Sequence, residues 1–167
     1  ALAAALKHFD IAWLEEPIRP DSPDELAQVR RQSPVPIACG ENEFMPTSFE
    51  ALARAGAVDY LQPNITRAGG VSGMLEIDRI CTQYGVSLSP HGVGSGVGVA
   101  AAVHTACAAR AFSVYEANLL PNAMRSELPV TPMALVDGQF LPSMRTGHGC
   151  EPDWDVLASY DIRGLRT

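Results

Sequence analysis

Short apolar runs alternate with amphipathic stretches along the first two-thirds of the chain. Ile11–Leu14, Val35–Cys39, Val58–Gln62, Val86–Ser89 and Phe112–Glu116 have the length and side chains of buried strands. The stretches between them read as helices. Ala1–Phe9 is the end of one. Ser22-Pro23-Asp24-Glu25 is a capping box with proline at the first helical position, which starts a helix reaching about Gln32. Thr47-Ser48-Phe49-Glu50 reads as a second capping box, opening a helix that Gly56 closes. After Gly69-Gly70, Val71, Met74, Ile77, Ile80, Cys81 and Tyr84 keep helical spacing until Gly85. Gly96–Arg110 is a nearly all-apolar helix. From Leu119 onward the alternation stops, and proline- and glycine-rich turns separate short strand-like pieces such as Val136-Asp137-Gly138-Gln139.

Strand–helix–strand alternation implies parallel strands with right-handed crossovers. Five strands and four complete crossovers suit either an open doubly wound sheet or part of a closed barrel. The barrel is favoured, because polar residues end four or five consecutive runs and no glycine-rich phosphate fingerprint follows any of them. A complete barrel needs about 200 to 250 residues, so the expected fold is α/β, a partial TIM-like (β/α) barrel of about five-eighths. Residues 1–118 form that piece. Residues 119–167 form a tail packing on it, with the tail's Trp154 covering the bottom or side. An N-terminal capping domain and the first barrel strands are expected outside the chain.

Composition narrows the class. The chain has 167 residues, 47% hydrophobic and 19% charged, with net charge −7. That balance, without a basic cluster, excludes a phosphate-backbone partner such as nucleic acid. No apolar stretch approaches the length of a membrane span, and Ala1–Leu6 is too short and lacks the basic start of a signal peptide. The four cysteines at 39, 81, 107 and 150 form no CxxC pair. Buried thiols in a reducing cytoplasm are expected rather than disulfides or a zinc site.

The polar run-ends carry the chemistry. They are Trp13-Leu14-Glu15-Glu16-Pro17, Cys39-Gly40-Glu41-Asn42, Pro63-Asn64-Ile65-Thr66-Arg67, Ser89-Pro90-His91 and Glu116. Glutamates ending adjacent parallel strands project into one space, since neighbouring strands lie about 4.8 Å apart. Two such carboxylates are hard oxygen donors of the kind Mg²⁺ requires. The alternative is that Glu15, Glu16 and Glu41 are solvated loop carboxylates. His91 is the side chain best able to move a proton near neutrality; otherwise it is merely hydrogen-bonded at a strand end. Arg67 either pairs with the carboxylates, contacts substrate, or forms a structural ion pair. His104 reads as a packed helix residue and Trp13 as core. His8 and His148 have no ligand partners spaced around them.

The joint occurrence of WLEEP, CGEN, QPNITRAGG and SPH, in this order and spacing, resembles the barrel domain of the enolase superfamily, in its mandelate racemase and muconate lactonizing enzyme branch. The resemblance implies one Mg²⁺ held by carboxylates from consecutive strands, with Glu15 and Glu41 as the second and third ligands. Glu16 and Asn42 would stand behind them. The first ligand, an aspartate, and the family's lysine base would precede Ala1. His91 would match a catalytic histidine that an aspartate orients in mandelate racemase; here Asn64 holds that place. An amide carbonyl can accept the imidazole N–H but offers no charge to an imidazolium, so a mandelate-type base is weakened. A role as acid toward a leaving hydroxyl survives. Glu116 would contact the substrate carboxylate, and Arg67 is a second substrate contact.

The implied activity is Mg²⁺-dependent removal of a proton next to a carboxylate with stabilisation of the enediolate, in an acid-sugar dehydratase. A racemase or epimerase of the same superfamily is the alternative. A catalytically inert fragment is another reading, and an open-sheet binding module without metal a third. Open edges at Ile11–Leu14 and Phe112–Glu116 predict a homo-oligomer or association with the rest of the barrel.

Overall fold

The computed structural model describes residues 2–19 and 22–160. Helix α1 (Leu2–Leu6) precedes strand β1 (Leu14–Glu15), and α2 (Pro23–Gln32) leads to β2 (Ile37–Cys39). Helix α3 (Pro46–Arg54) leads to β3 (Tyr60–Leu61), and α4 (Gly70–Tyr84) to β4 (Ser87–Leu88) and β5 (His91–Gly92). Helix α5 (Gly96–Ala108) then leads to β6 (Glu116–Ala117). The first four strands form one sheet in the order β1-β2-β3-β4, every pair parallel. The parallel pair β5–β6 continues it, through a bridge between Leu88 and Phe112. Chain order and spatial order agree, as short crossovers over one face require.

Alternate strand residues divide the sheet into two faces. Ile37, Cys39, Leu61 and Leu88 are fully buried in a core with Phe49 and Leu52 of α3 and Met74 and Ile77 of α4. Glu15, Ala38, Tyr60 and Ser87, in register with one another, occupy the opposite face. At the amino ends of the strands, carboxylates tie chain segments together. Asp59 accepts from Arg30 at 2.6 Å and from the Ile37 N–H at 2.9 Å, and buried Asp78 accepts from the Ala111 N–H at 2.8 Å.

Several expectations need correction. The first strand is Leu14–Glu15 rather than Ile11–Leu14, and it is half-buried because it is an edge of the described sheet. The capping box at Ser22 forms, with its hydroxyl accepting from the Glu25 N–H at 3.3 Å. The one at Thr47 does not. Proline 46 supplies the first helical residue, so Thr47 lies inside α3, and Met45 caps it without a side-chain bond. Glu50 instead accepts from the Tyr84 hydroxyl at 3.2 Å. The fifth run is interrupted: Phe112 makes a single bridge, and regular pairing resumes only at Glu116.

Beyond residue 118 are α6 (Ala123–Ser126), a hairpin of β7 (Leu135–Val136) and β8 (Gln139–Phe140), and α7 (Trp154–Ser159). Asp137 and Gly138 both have positive φ, the conformation of a tight two-residue hairpin turn. Phe140 meets Tyr115 edge to face at 5.7 Å, and Pro129 lies so close to Gly96 that no side chain fits there. Trp154, expected to cover the barrel, is instead mostly in solvent, 69% exposed.

Candidate active site at the carboxyl ends of the strands

The carboxyl ends of the strands bring Glu15, Glu16, Glu41, Asn64, His91 and Glu116 into one neighbourhood, built on unusual backbone. Glu16 holds a positive φ of 38°, rare for a side chain with a Cβ. Gly40 has φ 128°, and a Cβ there would meet Phe49 at 2.9 Å and the Gln62 nitrogen at 3.3 Å. Only glycine lets the β2 end turn Glu41 across the site.

Two hydrogen-bonded groups result. In the first, Gln62 Nε2 donates to Glu15 Oε2 at 3.0 Å and to Glu116 Oε2 at 3.3 Å. Trp13 Nε1 also donates to Glu15 Oε2, at 3.5 Å, while its ring lies 5.1 Å from that of Tyr60. Trp13 is therefore half-buried beside the site rather than core. In the second, His91 Nε2 lies 3.0 Å from Glu41 Oε2, and Asn42 Nδ2 donates to Glu41 Oε1 at 3.3 Å. Arg67 donates to Asn42 Oδ1 at 2.8 Å and to the Glu41 carbonyl at 3.4 Å, and its guanidinium lies 5.8 Å from the Phe44 ring centre. It makes no bond to a carboxylate among these contacts.

Asn64 corrects one expectation. Its Oδ1 is committed to the Thr66 N–H at 3.0 Å and the Thr66 hydroxyl at 2.7 Å. The amide nitrogen, not the carbonyl, faces His91 Nδ1 at 3.4 Å. Nδ1 is then the acceptor, and the ring proton sits on Nε2, directed at Glu41.

Negative charge is crowded here. Burial, reinforced by the charges of Glu41 and Glu15, pushes the Glu16 carboxyl above its ordinary range. Glu116 is raised by burial and then by the Glu15 charge. Desolvation and the nearby Glu16 charge push the buried Cys39 thiol up as well, so it is no nucleophile. All four cysteines are free; Cys39 and Cys81 are buried, whereas Cys107 is exposed.

A hard cation suits this donor set, because carboxylate oxygens on adjacent strands carry charge that a cation would relieve. The set is partial. Among the described residues no group of three or more His, Cys, Asp or Glu side chains converges as a metal cluster. Sequence reasoning missed Gln62 and Trp13; the signal for Gln62 was an amide ending a buried strand run, two residues before Asn64.

Residues 1–156 match the family model of the enolase C-terminal domain-like proteins. The chain belongs to the enolase superfamily, in its mandelate racemase/muconate lactonizing enzyme branch. It is 32% identical over 160 residues to the D-galactarolactone cycloisomerase of Agrobacterium fabrum, covering 91% of this chain and 42% of that protein. A D-galactonate dehydratase family member of Catenulispora acidiphila is 32% identical over 161 residues, with 95% and 37% covered. The crystal structure of an enolase from Agrobacterium radiobacter, bound to Na and L-malate, superposes with TM-score 0.86 at 26% identity, covering 95% of this chain and 44% of that one. The chain thus spans about two-fifths of the length of the curated relatives it matches.

Proposed function

We propose that this superfamily member serves an acid-sugar dehydratase, in which a proton leaves the carbon next to a carboxylate and water is lost from the following carbon. The observation that carries this reading is the meeting of Glu15, Glu41, Glu116 and His91 at the ends of the parallel strands. Its dehydratase relative and the carboxylic acid bound to its structural neighbour support the substrate class.

Glu15 and Glu41 would hold Mg²⁺, together with a ligand from outside this stretch. Bound there, the ion supplies charge stabilisation for the anion that proton removal creates. Asn42 and Arg67 hold the Glu41 loop in place, Glu16 stands behind it, accepting from the Cys39 thiol, and Arg67 would contact the substrate carboxylate. Glu116, which holds a proton more readily than an ordinary glutamate, can share it with that carboxylate. The proton-abstracting base belongs to the remainder of the protein. His91 passes a proton to the departing hydroxyl, which leaves as water, and the ring keeps Nδ1–H. That step needs the doubly protonated ring, so the Asn64 amide nitrogen must first turn away from Nδ1.

The same reading assigns residues 1–118 to a partial (β/α) barrel and 119–167 to a tail packed on it. It places the protein in the cytoplasm, as a homo-oligomer or joined to the rest of its barrel. No helix among the described residues is long and apolar enough to cross a membrane.

The test is the full-length protein with Mg²⁺, screened against aldonic and aldaric acids for formation of a 2-keto-3-deoxy acid. Deuterium exchange at the carbon next to the carboxylate, with no water lost, would favour racemisation instead. Absence of both product and exchange on every acid sugar tried would contradict the proposal.

A further inference from the structure

Gln62 has an exceptional position for a residue with no part in the proposed chemistry. It ends the β3 run in the middle of the sheet, is fully buried, and donates to carboxylates that belong to β1 and β6, the first and last strands of the parallel set. An amide nitrogen has two hydrogens, and both acceptors here are carboxylate oxygens, so its donating capacity is fully spent on them. Its Oε1 is buried without a partner. The paired position on the neighbouring strand is Ser89, whose N–H bonds to the Leu61 carbonyl, and its buried hydroxyl is also unpartnered.

That pattern is hard to explain as packing. A buried carbonyl without a partner costs stability, and a methionine or leucine of similar length would carry no such cost. What the amide does accomplish is to hold two like-charged groups at a fixed separation. Without a donor between them, Glu15 and Glu116 would repel each other, and each would settle elsewhere. Burial and the Glu15 charge already push the Glu116 carboxyl upward, as expected for two acids kept close.

We infer that Gln62 is a positioning residue: its amide sets the spacing between the ion-binding carboxylate of Glu15 and the substrate-binding carboxylate of Glu116. The inference rests on the proposed function for the roles of those two glutamates. Metal and substrate carboxylate must sit at one fixed distance if both are to act on the same molecule. Gln62 is the only described side chain bonded to both glutamates.

The experiment uses the full-length protein with Gln62→Met, and Gln62→Leu as a second variant should the first fold poorly. Melting temperature in EDTA, Mg²⁺ affinity by calorimetry, and kcat and KM on the best acid-sugar substrate are measured for each. The expected result, in variants that remain folded, is Mg²⁺ affinity about ten-fold weaker and kcat reduced by at least about ten-fold. A structural role alone would lower the melting temperature and leave the folded variant's Mg²⁺ affinity intact. Variants that bind Mg²⁺ as the wild type does, with unchanged kcat and KM, overturn the inference and leave the proposed function standing. A wild type that takes no Mg²⁺ overturns both.

Discussion

Asn64 presents its amide nitrogen to Nδ1 of His91 at 3.4 Å, because its carbonyl is already bonded to Thr66. The contact fixes which imidazole nitrogen carries the proton. In wild-type protein at about pH 8.5, above the ordinary histidine range, ¹⁵N spectra of histidine-labelled protein should show His91 with its proton on Nε2. Asn64→Asp replaces a donor by an acceptor, so the proton should move to Nδ1. An Nδ1–H ring in the wild type would contradict the arrangement.

Glu16 and Glu116 both have folded-state pKa values raised above the ordinary carboxylate value, chiefly by burial. The folded protein therefore binds their protons more tightly than the unfolded chain does. Their contribution to stability is complete below the ordinary value and is lost as pH rises through the raised ones. Glu116→Gln removes one such group. Its melting temperature in EDTA should gain on that of the wild type as pH rises from about 4 to about 7. A gap that stays constant, or that narrows from the variant's side, would contradict the raised value.

Asp59 acts at the other end of the strands, where one oxygen takes Arg30 and the other the Ile37 N–H. Asp59→Ala strands that backbone donor and should cost roughly 1–3 kcal/mol in denaturant unfolding. Mg²⁺ affinity should be unchanged, because nothing at the carboxyl ends touches this group. A weakened Mg²⁺ affinity would show that the two ends of the sheet are coupled.

The alternation of runs and periodic stretches was legible because each crossover buries one face on the same core. Phe49, Met74, Ile77 and Leu88 obey the simplest rule of burial. Boundaries were less legible where a local feature overrode the pattern. Pro46 began α3 ahead of the Thr47 signal, and the Phe112 run broke after one bridge. In the site, Glu15, Glu41, His91 and Glu116 stood out because charged groups ending apolar runs are conspicuous. Gln62 did not, since a neutral amide at a strand end has no chemistry until its partners, 47 and 54 positions away in the chain, are known. The orientation of Asn64 was equally hidden: it depends on Thr66, two residues on, whose hydroxyl and N–H claim the carbonyl.

The most direct measurement is a calorimetric Mg²⁺ titration of the full-length protein beside Glu15→Gln and Glu41→Gln. The account predicts one site per subunit in the wild type and at least about ten-fold weaker binding in each variant, with melting in EDTA little changed. Wild-type affinity in both variants would contradict it.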